Sequence, residues 1–267
     1  MNLTFDKMNT ISIVTICYNN LEQLKQTCLS VDKQTEKPLE HWIIDGSTEP
    51  DIKNWLNQNT QPFYRKWINE RDKGISDAFN KGINHTTGEI IYLLNSGDCL
   101  YNENVLKKVL EVFKTDPNIM WCNGKLNLRR GGIWVLIGKP FEKAKLYRGM
   151  RGVLHPTMYI KKELYTQIGL FNIQLKFAMD YDLLCRIAEK KNIFIDAPLA
   201  TFDPTGRSTT HYLKALKEAS LVYQKYFGKS IKLIFWQWRL TFLHHLLNSR
   251  LGYWLYKIKV QLKLENR

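Results

Sequence analysis

The chain has 267 residues, room for one sizeable α/β domain plus a small appendage. Hydrophobic residues make up 44%, with no low-complexity tract or internal repeat, which excludes disordered and solenoid classes. The net charge of +14 calls for an anionic partner: nucleic acid, anionic lipid or nucleotide phosphate.

The five cysteines, Cys17, Cys28, Cys99, Cys122 and Cys185, form no CxxC pair and no disulfide framework, so they read as reduced thiols. Met1 to Asn9 is polar and lacks the apolar core of a signal peptide. No stretch reaches the roughly 18 apolar residues of a membrane span. A cytoplasmic protein is expected.

In chain order, Ile11 to Ile16 is a β-branched apolar run suited to a buried parallel strand. A helix with Leu21, Leu24, Cys28 and Val31 on one face follows the polar loop Tyr18-Asn19-Asn20. His41 to Ile44 is a second strand, stopping at Asp45-Gly46-Ser47. Leu56 marks a second helix, Arg65 to Ile68 a third strand, and Ser76 to Asn84 a third helix. Ile90 to Leu94 is a fourth strand, ending at Asn95-Ser96-Gly97-Asp98. Strand–helix alternation with short connections predicts an open, mostly parallel sheet flanked by helices. In such sheets ligands bind beyond the carboxyl ends of the strands, where Thr15, Asp45 and Asp98 gather.

Beyond Asp98 the pattern loosens. Leu106 to Phe113 reads as a helix, Ile133 to Ile137 and Pro156 to Ile160 as strands. Glu163 to Ile168 and Tyr181 to Lys190 read as helices, and Ile193 to Ile195 as a late strand. From about Thr209 the chain turns helical.

Asp98 sits in a small-residue loop at a strand end. A hard divalent cation needs few protein oxygens when substrate phosphates supply the rest, so one carboxylate suffices; a plain turn fits the same residues. Asp45 offers a carboxylate to a nucleobase or ribose, or simply closes a turn. In the dense polar join Glu70 to Gly82, Ser76 or Asp77 suits a helix cap, while Arg71, Lys81 and backbone N–H groups suit phosphates. Asp180 and Asp182, two apart at a helix start, do not share a face, so one pointing into a cleft leaves the other to brace the scaffold. His155, before Pro156, suits packing or the site. Gly206-Arg207-Ser208 suits a turn or a loop over phosphate.

Taken together, Ile11 to Asn19, Ile43 to Ser47, Glu70 to Gly82, Leu93 to Asp98 and Asp180 to Leu183 resemble the family 2 glycosyltransferases of the GT-A fold. Order and spacing agree over roughly residues 10 to 210. The resemblance implies an inverting enzyme of bacterial polysaccharide assembly, with a Rossmann-like nucleotide-binding sheet and a donor that is a nucleotide sugar, usually a UDP-sugar. It places Asp98 on Mg²⁺ or Mn²⁺ and makes Asp180 the base that deprotonates the acceptor hydroxyl. Thr15, Tyr18, Asn19, Asp45, Arg71, Asp72, Asp77, Asn80, Lys81, Ser96, Gly97, His155 and Arg207 are the expected donor contacts. Ser96 stands where the family's Asp-x-Asp signature has its first acid, so metal binding is expected to lean on the donor.

The expected division is a catalytic domain over residues 1–212, with a donor half at 10–100 and an acceptor half at 101–212. A basic, aromatic helical segment covers 213–267. Lys229 to Arg267 carries eight Lys and Arg against Glu265 alone, interleaved with Phe235, Trp236, Trp238, Phe242 and Trp254. Such a segment suits an anionic membrane surface or a helical pair packed on the catalytic domain. No nucleic-acid recognition motif is present. The partners expected are a nucleotide sugar, a glycan acceptor on a polyprenyl diphosphate lipid, and the inner face of the cell membrane. A nucleotidyltransferase would show a glycine-rich basic loop after the first strand, which Cys17 to Asn20 does not supply. A degenerate nucleotide-sugar-binding module would not need both Asp98 and Asp180.

Overall fold

Four parallel strands organise the first half of the chain: β1 (Ile11–Cys17), β2 (Glu40–Asp45), β3 (Arg65–Asn69) and β4 (Ile90–Asn95), in the order β3-β2-β1-β4. The computed structural model describes residues 9–130, 132–202, 211–249 and 252. β1 is buried along its whole length because helices cover both faces. Val14 and Ile16 face one core, with Ile91 and Leu93 of β4. Ile13 faces the other, with Ile90, Tyr92 and Leu94. That two-residue alternation inside an unbroken apolar run is what a doubly covered sheet requires.

Helices α1 (Leu21–Asp32), α2 (Asp51–Gln58) and α4 (Val105–Thr115) supply Leu24, Ile52, Leu106 and Phe113 to one side. Helix α3 (Ile75–His85) lies on the other, contributing Ala78, Phe79 and Ile83. Gly82 sits mid-helix there, where glycine costs helical propensity. A Cβ at this position would stand 2.1 Å from Val14 Cγ1, so the close approach of α3 to β1 demands it.

Past β4 the sheet changes direction. Strand β8 (Tyr159–Lys161) pairs antiparallel with β4, then β6 (Trp121–Arg130) antiparallel with β8. Strand β9 (Asn192–Phe202) runs parallel to β6, and the short β5 (Cys99–Leu100) and β7 (Ile133–Ile137) pair antiparallel with β9 and β6. Strand β6 is absent from the sequence expectation, because Asn123, Gly124, Lys125 and Asn127 break its apolar alternation. Tertiary pairing on both edges forms it instead. The strand expected over Pro156 to Ile160 starts later, since His155–Thr157 is a 3₁₀ turn.

Helix α5 (Lys162–Ile168) follows β8, and α6 (Met179–Arg186) begins two residues before and ends four before the expected helix. The C-terminal region forms α7 (Tyr212–Phe227) and α8 (Ile231–Leu247). Val222 of α7 joins the same core as Tyr181 and Leu184 of α6. Among the described residues no helix is long and apolar enough to cross a membrane.

A buried polar chain knits the parallel strands. Arg65 Nε donates to His41 Nδ1 (3.4 Å), so His41 carries its proton on Nε2 and donates to Thr15 Oγ1 (2.9 Å). Burial, with the Arg65 charge beside it, keeps that imidazole neutral. Asp32 neutralises Arg65 at 2.5 Å.

Gly82→Ala is expected to lower unfolding stability by about 1–3 kcal/mol, as overpacking does. Urea denaturation checks this; an unchanged midpoint would show that α3 can shift away from β1 at no cost.

Candidate active site

The strand register aligns one polar edge. Asn69 pairs with Asp45, Asp45 with Cys17, and Ile16 with Asn95, so the carboxyl ends of β3, β2, β1 and β4 finish together. Asp45 is fully buried. Its Oδ2 accepts from Asn69 Nδ2 (2.7 Å) and its Oδ1 from the Ser47 backbone N–H (3.0 Å). Asn19, at φ 50°, takes the Thr48 and Glu49 N–H groups on its Oδ1, holding the turn after β2 over the end of β1. Tyr18 beside it is 52% exposed.

Asp98 lies at the same edge, 3% exposed. Gly97 takes φ +102° to turn the chain, and Thr27 of α1 fixes the turn twice: it accepts from Gly97 N–H (2.9 Å) and donates to the Asp98 carbonyl (2.8 Å). Asn95 Nδ2 donates to Asp98 Oδ2 (3.1 Å). Burial pushes the Asp98 carboxyl up to about 6, against the lowering pull of Asn95 and His155.

His155 comes from the far half of the chain. Tyr92 of β4 donates its hydroxyl to the Pro156 carbonyl (2.9 Å) and stacks on Tyr159 at 4.2 Å, which pins the His155 turn beside the end of β4. The imidazole packs on Phe79 of α3. Its Nε2 stands 3.8 Å from Asp180 Oδ1, too long for a hydrogen bond. Three polar atoms in this region, Ser96 Oγ, His155 Nε2 and Asp180 Oδ1, are buried with no hydrogen-bonding partner among the described residues. Each such atom costs about 1–3 kcal/mol unless something polar meets it.

Asp180 sits in the first turn of α6, whose start is held from outside. Glu218 of α7 accepts from the backbone N–H groups of Lys176, Phe177 and Ala178 at 2.6–3.1 Å. Asp182 faces the other way: it is 2% exposed and takes Arg186 Nε (2.9 Å) and the Tyr226 hydroxyl (2.7 Å). The two carboxylates thus have different surroundings, as their spacing implies.

Several expected donor contacts are occupied within the scaffold. Thr15 is 0% exposed inside the sheet, its hydroxyl on His41. Asn80 exchanges both amide atoms with the backbone of Phe171, at 2.9 Å each. Lys81 binds the Arg71 carbonyl (2.6 Å) and Glu70 (2.8 Å), and Asp77 accepts from the Lys73 N–H (2.9 Å). Asp72 lies against Gly46 and takes the Gly74 N–H (2.8 Å), which brings the 70–77 loop next to the Asp45 turn. Arg71 is exposed there. Arg207 lies outside the described residues. Sequence reading missed Thr27, Asn69, Asn95, Tyr92 and Glu218; only Asn95 and Asn69, polar residues closing apolar strands, carried a local signal.

Comparison with known proteins decides the family. The family model for Glycosyl transferase family 2 matches residues 12–169. This chain is a family 2 glycosyltransferase. An uncharacterized glycosyltransferase of Mycobacterium tuberculosis is 30% identical over 206 residues, covering 74% of this glycosyltransferase and 76% of that protein. A PGL/p-HBAD biosynthesis glycosyltransferase of Mycobacterium bovis is 24% identical over 175 residues, 62% of this chain and 65% of its own. Solved GT-A structures share the fold. TarS 1-349 of S. aureus, in complex with UDP-GlcNAc, superposes with a TM-score of 0.61 at 15% identity over 95% of this chain and 77% of that one. The mannosyltransferase PcManGT of Pyrobaculum calidifontis, with GDP-Man and Mn²⁺, gives 0.59 at 13% identity over 96% and 81%. The present chain spans only 44% of the longer TarS structure.

The raised Asp98 pKa has a stability consequence. A carboxyl ordinarily near 3.8 and held near 6 when folded destabilises the fold as pH rises through that window. In chelator, Asp98→Asn is expected to melt higher than the parent above pH 6, by up to about 3 kcal/mol, with the difference vanishing below pH 4. A pH series of thermal melts reads it; a parent at least as stable as the variant at pH 8 would contradict the burial of Asp98.

Proposed function

We propose that this glycosyltransferase moves a sugar, with inversion, from a nucleoside diphosphate donor to a hydroxyl of a lipid-linked glycan in polysaccharide assembly. The observation that carries this reading is that His155 reaches both Asp98, whose carboxyl it influences, and Asp180, 3.8 Å away, with His155 Nε2 and Asp180 Oδ1 buried and unpartnered among the described residues. Solved structures of similar fold hold UDP-GlcNAc, GDP-Man with Mn²⁺, or UDP, GalNAc and Mn²⁺. A UDP-sugar is the donor favoured here.

The polar edge suits such a donor. The base end lies at β2 and β3, where Asp45 fixes Asn69 and the Ser47 turn, with Tyr18 and Arg71 exposed beside them. The diphosphate end lies at Asp98, two strand spacings or about 10 Å away. The donor set there, a buried carboxylate with Ser96 two residues before it and His155 near enough to act on its charge, fits Mg²⁺ or Mn²⁺ recruited together with the diphosphate; Ser96 Oγ and His155 Nε2 have no hydrogen-bonding partner among the described residues. A cation bound to Asp98 supplies positive charge for the departing diphosphate.

Asp180 takes the proton of the acceptor hydroxyl. The acceptor oxygen forms its bond to the anomeric carbon as the bond from that carbon to the phosphate oxygen breaks, and the nucleoside diphosphate leaves with the electron pair. Asp182 and Glu218 keep α6 from moving, so the base does not drift from the acceptor.

The acceptor side turns to a membrane. Ile231, Ile234, Phe235, Trp238 and Phe242 recur at helical spacing along α8 and are each more than half exposed. An apolar stripe on a chain of net charge +14 suits the headgroup layer of an anionic bilayer.

Asp180→Asn is expected to lower transfer by at least about a thousandfold while UDP affinity stays within a factor of two; equal loss of both sinks the base assignment. A panel of nucleotide sugars screened by thermal shift with Mn²⁺ tests the donor, and no stabilisation by any UDP compound removes that reading. Replacing Phe235, Trp238 and Phe242 together by Ser should abolish flotation with phosphatidylglycerol liposomes. Undiminished flotation excludes this face of α8.

A further inference from the structure

Helix α8 carries more than an apolar stripe. Three guanidiniums surround one indole: Arg148, Arg151 and Arg239 lie 5.4, 5.0 and 5.2 Å from the Trp236 ring. Tyr147 meets the same ring edge-on at 6.2 Å and accepts a hydrogen bond from Arg148 Nε (2.9 Å). None of the three arginines has a carboxylate partner among the described residues, although neighbouring lysines do: Lys143 pairs with Glu189 and Lys145 with Glu142. Trp236 Nε1 is buried and without a hydrogen-bonding partner among the described residues.

Each exposed cation–π contact is weakly favourable. Gathering three like charges on one ring opposes that gain, and an anion seated between them would reverse the sign of the electrostatics. Arginine forks match phosphate oxygens two at a time, which a ring of lysines would not do.

The position of the cluster says which phosphate. Arg148 ends the 3₁₀ segment Lys143–Arg148, whose Leu146 carbonyl accepts the Tyr181 hydroxyl at 2.6 Å, next to Asp180. Arg151 precedes His155 by four residues. The cluster is therefore tied through Leu146 and Tyr181 to the helix that carries Asp180, on a stretch of chain distinct from the strand ends assigned to the donor. Arg239 follows Phe235 by one helical turn and precedes Phe242 by three residues, so its guanidinium lies beside the exposed apolar stripe of α8.

We propose that Arg148, Arg151 and Arg239, gathered on Trp236, bind the diphosphate of a lipid-borne acceptor, with its hydrocarbon laid along the exposed stripe of α8. This rests on reading the acceptor as lipid-linked. It adds a binding site that the transfer chemistry alone does not require.

Farnesyl diphosphate is the probe, titrated into the full chain with UDP and Mn²⁺ present to fill the donor side, and followed by tryptophan fluorescence. The parent is expected to bind it, pyrophosphate more weakly and farnesol weakly. The triple variant Arg148→Gln, Arg151→Gln, Arg239→Gln should bind farnesyl diphosphate at least tenfold more weakly, while Arg→Lys at the same positions recovers only part of the loss. Circular dichroism melts confirm that the variants fold. Binding unchanged in the Gln variant overturns the site and leaves the lipid-linked reading standing. No binding of farnesyl diphosphate by the parent overturns that reading along with the site. Loss confined to phosphatidylglycerol vesicles, with farnesyl diphosphate still bound, assigns the arginines to the bilayer surface and overturns the proposal.

Discussion

The antiparallel addition of β8 to β4 is the constraint on which the site depends. The first four strands alone give an edge with Asp45 and Asp98 but nothing opposite them. Tyr159 pairs with Tyr92 and Ile160 with Ile91, so the chain before β8 runs towards the end of β4 and delivers His155 beside the Asp98 turn. The stacked Tyr92–Tyr159 rings and the Tyr92 bond to Pro156 hold that register. A slip of one residue would turn the alternate face of β8 inward and move His155 away from Asp98.

The assembled site is kept at a cost to stability. A buried carboxyl raised to about 6, together with atoms on Ser96, His155 and Asp180 that have no partner among the described residues, destabilises the chain in isolation. A second buried carboxylate is treated differently: Glu40, 1% exposed, takes Ser12 at 2.7 Å, the Thr87 backbone N–H and Lys66 at 3.2 Å, and bonds of this kind outweigh burial and hold it down near 2. The contrast is between a carboxylate that its neighbours hold ionised and one that burial drives towards the neutral form.

The C-terminal helices hold the start of α6 in place. Through Glu218, helix α7 clamps the three backbone N–H groups ahead of α6, and through Tyr226 it meets Asp182. Asp180 is thus fixed by residues some forty positions downstream. Helix α8 rests on the Lys143–Arg148 segment through Trp236, so the outer helices and this segment form one packed unit.

The sequence by itself determined the parallel half of the sheet, because unbroken β-branched runs between amphipathic helices have few other ways to bury both faces. It also determined that carboxylates would gather at the strand ends, since Asp45 and Asp98 each stop an apolar run, and the ordered motifs placed the chain among family 2 glycosyltransferases. Strand β6 was not legible, because its polar residues are tolerated only where β8, β9 and β7 supply hydrogen bonds. Nor was the turning of Thr15, Asn80 and Lys81 towards the scaffold, which depends on neighbours 10 to 91 residues away. The meeting of His155 with Asp98 and Asp180, the Glu218 clamp and the arginines around Trp236 were decided by tertiary structure alone. Local patterns encode burial and turns, whereas these contacts join segments whose only common property is the place where the sheet brings them.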